Sequence, residues 1–342
     1  MINKYGRRSG REALALAILL AAATPVNAAS QVYGIADGYF GTVKPSGASG
    51  SVVGIGSGGM SLSFWGLAGS EDLGNGLKAN FRLEGFYQID TGASGRSAAD
   101  SLLSRNAYVG IEGRGGEVRI GRLSNPTYLA TAQFDPFGGS TVFSPVMNPL
   151  WVPSFGRYIA SDTAWSNAVG YYTPEYAGVS GRFVYSLGEV SGTNASNNAV
   201  AMLYLDRGPL TATISFQRTR VGPGLPTGSW AQSVLVAGAA YDFGWIKPIL
   251  QYDATRASGI TFRTDTFMVG ANIPFLVGKI ALGVTQTNVR SSTQADVRRR
   301  DAAVGYSYPL SKRTDLYGNV LYDKLSNFGS GITAGIGMRH KF

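Results

Sequence analysis

A transmembrane antiparallel β-barrel of about sixteen strands is the fold class this sequence predicts, and three observations predict it. Apolar and polar residues alternate with a period of two along many short segments. Lysines, arginines and carboxylates share the polar parity. Aromatic residues close the apolar parity at the segment ends.

Residues 1–28 read as a secretory signal peptide. Lys4, Arg7, Arg8 and Arg11 form a basic start, and Ala13 to Ala23 is an apolar run too short to span a bilayer as a helix. Val26-Asn27-Ala28 is a small-residue cleavage site. Its removal lowers the formal charge from +9 to +6. Residues 29–342 then form a single barrel domain. No later apolar run approaches the ~18 residues of a membrane helix.

The alternation is clearest in Leu77-Lys-Ala-Asn-Phe-Arg-Leu-Glu84, in Leu210-Thr-Ala-Thr-Ile-Ser-Phe-Gln217 and in Ile280-Ala-Leu-Gly-Val-Thr285. One strand face is apolar and the other polar or small. A soluble sandwich and a membrane barrel both produce this pattern. The barrel is favoured because the polar set includes Lys78, Arg82, Glu84, Arg105, Lys247, Asp253 and Lys279. A sandwich interior does not hold so many charges in one register. The apolar set ends in Phe216, Tyr241, Tyr252, Tyr306, Tyr308 and Tyr322, as membrane interfaces favour.

Connections alternate in length. Short turns fall at Ser70–Gly76, Gly113–Gly116, Asp206–Pro209 and Pro309–Thr314. Longer Gly- and Ser-rich links fall at Thr42–Gly59, Thr91–Ser101, Glu189–Asn198, Val221–Ser229 and Arg290–Ala295. The link Ser124–Ala164 stands apart. Its 41 residues include only Asp135, Arg157 and Asp162 as charged groups, but carry Tyr128, Phe134, Phe137, Phe143, Trp151, Phe155 and Tyr158. A link this long is usually functional, and one this aromatic must pack on something. It is expected to fold inward and narrow the lumen. The alternatives are a cap over the barrel or a contact to a neighbouring subunit.

Composition excludes several chemistries. Cysteine is absent, so disulfides and thiolate metal sites are ruled out. The single histidine, His340, leaves no two-histidine metal site. No Gly-x-Ser-x-Gly elbow is present. The sequence therefore offers no enzyme site, cofactor site or metal site, and nothing that calls for nucleic acid. A soluble exported binding protein or adhesin is the competing non-catalytic class.

Eight segments resemble the Gram-negative trimeric outer-membrane porin family, of the beta-proteobacterial general type. They are Val32-Tyr-Gly-Ile-Ala-Asp37, Trp65-Gly-Leu-Ala-Gly-Ser-Glu-Asp-Leu-Gly74, Leu77–Glu84, Arg105-Asn-Ala-Tyr-Val-Gly-Ile111, Gly121-Arg122, Phe134-Asp-Pro-Phe-Gly138, Leu310-Ser-Lys-Arg-Thr-Asp-Leu-Tyr317 and Met338-Arg-His-Lys-Phe342. They stand in family order across the chain from residue 29 on. The resemblance implies a homotrimer in the Gram-negative outer membrane, in contact with lipid and lipopolysaccharide. It implies a water-filled channel for passive diffusion of ions and small hydrophilic solutes.

The resemblance also implies a constriction in which a loop carboxylate faces wall arginines. Asp135 fills the loop position, Arg105 the fourth-strand wall position, and Glu84 the carboxylate beside it. Arg82, Arg119 and Arg122 are further basic candidates. Arg82 and Glu84 are equally readable as a structural wall pair. The second-strand wall arginine is replaced by Phe64 and the sixth-strand one by Ala164, with Arg157 seven residues earlier as a possible substitute. The expected ion preference is thus weak and towards anions. The alternative is a selective channel whose aromatic loop and Phe64 guide a particular organic solute. Phe342 closes an apolar parity with Ala334, Ile336, Met338 and His340. It resembles the family's terminal signal for the barrel-assembly machinery.

Overall fold

The structure is a computed structural model that describes residues 29–153, 159–188, 197–292 and 295–342. The proposed signal peptide and Arg157 lie outside the described residues. The strands in chain order are β1 (Ala29–Val43), β2 (Val52–Ser57), β3 (Phe64–Gly74), β4 (Leu77–Phe86), β5 (Asn106–Gly113), β6 (Gly116–Ser124), β7 (Ala164–Tyr172), β8 (Val179–Ser186) and β9 (Asn198–Arg207). They continue as β10 (Leu210–Thr219), β11 (Ala231–Tyr241), β12 (Lys247–Ser258), β13 (Phe262–Phe275), β14 (Gly278–Ser291), β15 (Val297–Pro309), β16 (Thr314–Leu325) and β17 (Gly331–Lys341). Two short helices, α1 (Pro126–Gln133) and α2 (Met147–Trp151), lie between β6 and β7.

Each strand pairs antiparallel with its neighbours, and β17 returns to β1 in the register Ile35↔Lys341 to Thr42↔Ala334. The sheet is closed. Its seventeen segments make a sixteen-stranded barrel, because β2 and β3 share one place. Ala29–Ile35 of β1 pairs with β3, and Gly38–Val43 pairs with β2. Asp37 fills the break between them, accepting the N–H groups of Met60 (3.0 Å) and Ser61 (2.8 Å). The link expected over Thr42–Gly59 therefore contains a strand. Its Val52-Val53-Gly54-Ile55 run pairs with the outer half of β1.

The alternation sorts the two faces. Ser215, Gln217, Asp253, Thr266, Thr287, Asp301 and Asn319 are buried on the inside. Phe216, Val269, Val284, Val304 and Ile336 are exposed on the outside. Hydrocarbon offers backbone groups no hydrogen-bond partners, so closure is the condition for a sheet to sit there.

The segment between β6 and β7 packs on the inward-facing residues of the opposite wall. Ala130, Phe134, Val146, Met147, Leu150 and Trp151 form one cluster with Met202, Val234, Val236, Ile249 and Met268. Phe137 and Phe143 form another with Tyr39, Ala281, Ala303, Tyr317 and Leu321. Five inward glycines leave room for it. A Cβ on Gly238 would stand 2.6 Å from the Phe134 ring, and one on Gly270 2.4 Å from Pro136. Gly283 meets Pro145, Gly305 meets Phe137 and Gly335 meets Phe143 in the same way. Polar ties fix the ends. Asn125 caps α1 by accepting the Thr127 N–H (2.9 Å), with Pro126 preset for the first turn. Asn125 also donates to Gln217 (2.9 Å), Gln217 donates to the Ala160 carbonyl (2.9 Å), and Ser140 donates to the Gly59 carbonyl (2.6 Å).

Gly238→Val tests this fit. A branched side chain under Phe134 overpacks the contact, at a cost of about 1–3 kcal/mol. The folded, fast-migrating gel band is expected to convert to the unfolded band at a lower temperature than wild type. An unchanged conversion temperature would show that the segment does not rest there.

Candidate pore constriction

The wall opposite this segment, from β3 to β8, is lined differently. Glu84 on β4 is completely buried and gathers the residues around it. Its Oε1 accepts the Tyr33 hydroxyl (2.5 Å) and has Arg82 at 3.8 Å. Its Oε2 accepts from Arg105 and from Asn106. One carboxylate thus faces two guanidiniums, and both reach the lumen with about a quarter to two-fifths of their side chains exposed. Such charge-assisted bonds are about twice as strong as neutral ones.

The aromatic residues under these cations hold them flat. The Arg105 guanidinium lies 4.1 Å from the Phe64 ring centre, and that of Arg82 lies 5.8 Å from Tyr33. Phe64 is buried beneath Arg105 and does not offer a bare aromatic track. Arg119 on β6 pairs with Glu117 (2.6 Å) and sits between Tyr108 (4.7 Å) and Tyr172 (4.1 Å). Arg182 on β8, in register with Tyr172, adds a fourth cation; among the described residues it forms no ion pair. Sequence reasoning missed Arg182, although its parity, opposite to that of exposed Phe183, places it inward.

Two expectations need correction. Asp135 does not present its carboxylate to Arg105. It is buried and accepts the N–H groups of Phe137 (3.1 Å) and Gly139 (2.8 Å) of its own turn. Burial pushes its pKa up to about 6, against the pull of those two donors, Ser144 and the more distant Lys279. A carboxylate with nearby N–H donors in its own turn is satisfied locally and has no reason to cross the lumen. Tyr128 on α1 instead packs edge-on against Trp151, with ring centres 5.2 Å apart.

Arg122 does not join the lumen row of Arg82, Arg105 and Arg119. Three residues on from Arg119, it takes the other strand face and stands opposite Ala107. The pairing of β6 with β7 then slips, because Gly121 meets Ala168 and Leu123 meets Trp165. The extra residue is on β7, where Asn167 adopts a φ of 53°. Such a bulge re-aims the side chains around it. Here it lets Trp165 and Ala168 both pack against Leu123. Arg122 donates to the Ser104 carbonyl (2.7 Å), Ser166 (2.9 Å) and Asp162 (3.2 Å). Asp162 also binds Arg96 (3.2 Å), which forks onto Asp100 (2.7 Å). Burial alone would raise Asp100, but Arg96 outweighs it and holds the carboxyl below its ordinary range. Arg122 is therefore part of a brace between the β4–β5 loop and the start of β7.

Phe342 lies at the closing seam. It exchanges backbone hydrogen bonds with Gly34 (3.1 Å each way), and its ring occupies the space a Cβ on Gly34 would need.

Glu84→Gln is expected to weaken the wall by about 1.5–3 kcal/mol, the usual worth of hydrogen bonds to charged groups. The gel-band conversion temperature should fall, while Glu117→Gln, at a less buried site, should lower it less. Equal effects would deny Glu84 its gathering role.

Comparison with known proteins agrees with this architecture. Residues 14–327 match the Gram-negative porin family. Outer membrane porin protein 32 of Delftia acidovorans is 32% identical over 358 aligned residues, covering 96% of this chain and 99% of that protein. An outer membrane porin protein of Bordetella pertussis is 26% identical, with 82% of each chain covered. The anion-selective porin from Comamonas acidovorans superposes with a TM-score of 0.76 at 28% identity, covering 92% of this chain and all of that one. With a closed sixteen-stranded barrel, a polar lumen and an apolar outer face, the chain belongs to the Gram-negative porin family and is an outer-membrane porin.

Proposed function

We propose that the channel passes ions and small hydrophilic solutes by passive diffusion, with a weak preference for anions, and that it works as a homotrimer. The observation that carries the ion preference is the imbalance on the β4–β8 wall. Arg82, Arg105, Arg119 and Arg182 share two carboxylates, Glu84 and Glu117. The facing segment does not offset them, because the Asp135 carboxylate is turned into its own backbone. Screening limits the reach of a charge to about 8–10 Å at physiological salt, so charges at the narrowest zone weigh most. The Comamonas relative, described as anion-selective, supports the same sign.

The described residues of this segment, 124–153 and 159–164, narrow the path by lying on the β9–β17 wall, leaving the arginine wall open to water. Small outer-face residues of β1 and β17, Ala36, Gly38 and Ala334, together with exposed Phe40, Ile55 and Ile336, supply a low apolar face for a second and third copy. Phe342 serves as the terminal signal for barrel assembly; its place at the seam, on the last residue to pair, supports that role.

Reconstitution in a planar bilayer under a salt gradient tests this reading. Conductance steps grouped in threes and a reversal potential of anionic sign are expected. Arg105→Ala should move the reversal potential towards cations. Arg122→Ala should leave it in place, because that side chain takes the other strand face and is tied to Asp162. A strongly cationic reversal potential, or equal shifts from the two variants, would overturn the reading.

A further inference from the structure

Two carboxylates face one another inside one end of the barrel, with one guanidinium against both. Asp301 on β15 stands directly opposite Asp323 on β16. Both point inward, 2% and 4% exposed. The Arg299 Nε lies 2.9 Å from each carboxylate, and its N–H is directed at Asp301 Oδ1. Among the described residues, Asp301 Oδ2 and Asp323 Oδ1 have no hydrogen-bond partner. Neither does the hydroxyl of Thr285, which stands opposite Asp301 on β14. A buried carboxylate oxygen without a partner is costly, and like charges directly opposite on adjacent strands repel.

The outward neighbours at this height, Arg298, Arg300 and Lys324, are charged, which places the pair above the hydrocarbon level. It lies at the end opposite the chain termini and the tight turns at Asn75-Gly76 and Leu276-Val277. In outer-membrane barrels the end with tight turns is periplasmic, so the pair stands at the external mouth. There it holds the β1–β2 loop. Asp323 Oδ2 accepts the Ser46 N–H (3.0 Å). The Ser46 hydroxyl donates to the Gly329 carbonyl (2.7 Å) and accepts the Leu325 N–H (2.9 Å). The Gly47 N–H donates to the same Gly329 carbonyl (3.0 Å). A Cβ on Gly331 would stand 2.1 Å from the Lys44 carbonyl oxygen, so the loop lies directly on the start of β17.

A metal ion does not suit the gap between the two carboxylates. Calcium takes about six to eight oxygens, and here a guanidinium already stands against both acids. One proton suits it. It makes one orphan oxygen a donor to the other and leaves a single negative charge for Arg299. Buried carboxylates that face each other do not both ionise, and the proton then belongs to the pair. The surrounding elements bring no further cation within ion-pair distance among the described residues. The inward residues of β14 and β17 beside the pair are Thr285, Thr287 and Thr333. Lys44 is the charged residue of the loop 44–51. Asp253 shares the inward face three strands away, on β12, and Tyr39 and Tyr317 lie lower, against Phe143.

We propose that Asp301 and Asp323 share one proton, and that the protonated pair is a pH-sensitive clasp holding the β1–β2 loop over the external mouth. Loss of the proton sets two charges against one guanidinium, pushes Asp323 away and frees Ser46. The folded pair keeps a proton that an unfolded carboxyl releases at about pH 4. Stability therefore falls as pH rises from there through the titration of the pair. The pair stands away from the arginine wall of β3–β8, so the clasp does not depend on the sign of ion selectivity.

The test compares wild type with Asp301→Asn, whose amide can donate to Asp323 as the shared proton does. Infrared spectra of the folded protein at neutral pH should differ by the carbonyl band of one protonated carboxyl, present in wild type and absent from the variant. In wild type this band should vanish as the pH is raised. Where Asp301→Asn does not fold, Asp323→Asn should remove the same band. Hydrogen exchange of the peptide spanning residues 44–51 reads the clasp. Wild type should lose protection there in alkali, relative to a peptide of β11, while Asp301→Asn keeps it. Its gel-band conversion temperature should also change less with pH than that of wild type. Coincident infrared spectra of the two folded proteins would overturn the shared proton. So would a loop that a chelator loosens at neutral pH, which would mean a metal ion in the gap. An equal loss of protection in both proteins would overturn the clasp.

Discussion

Every backbone N–H and C=O in a bilayer must find its partner within the protein, and this constraint organises the whole chain. It forces β1 to meet β17, makes β2 and β3 share one position, and leaves Asp37 to satisfy the amides at the break between them. Once the ring closes, side-chain parity sorts lipid from water. The outer face becomes apolar by necessity. The inner face is free to carry charge, and the residues that set permeation are drawn from it.

The lumen is then divided between two surfaces of opposite character. On β9–β17, glycines at Gly238, Gly270, Gly283, Gly305 and Gly335 remove side chains where Phe134, Phe137 and Phe143 lie. An apolar segment can rest there without exposing its rings to the channel. On β3–β8, aromatic residues instead form a floor for arginines, and Glu84 ties that floor to β1, β4 and β5. The asymmetry of the water path is a consequence of which wall has the glycines. It does not need a carboxylate on the loop, and Asp135 is occupied in holding its own turn.

Much of this was legible in the alternation. Leu77–Glu84 and Leu210–Gln217 placed Arg82, Glu84 and Gln217 inward, where they stand buried or lumen-facing. Arg122 shows the alternation prevailing over a motif. The Gly121-Arg122 match suggested a wall cation, yet three steps from inward Arg119 a strand residue must take the other face. Features without a periodic signature were not legible. The capture of Asp135 depends on the turn at residues 137–139, whose geometry no spacing rule describes. β2 was concealed because its short Val52-Val53-Gly54-Ile55 run sits in a stretch rich in glycine and serine, although its partner is the strand just before it. The glycine row was visible only as five residues on five separate strands, each unremarkable alone.

The most direct measurement of this account is a disulfide across the contact between the segment and its wall. The chain has no cysteine, and the Phe134 Cβ lies 3.0 Å from where a Cβ on Gly238 would stand. This is about 0.5 Å short of the ~3.5–4.5 Å that a disulfide spans, a gap that a small outward shift of the segment closes once the Phe134 ring is gone. The double variant Phe134→Cys, Gly238→Cys should form the bond on mild oxidation of the folded protein. Oxidised and reduced channels should then share one conductance and one reversal potential, because the bond fixes the segment where it already rests. Failure to form the bond in the folded barrel, or a conductance that changes when it forms, would contradict the account.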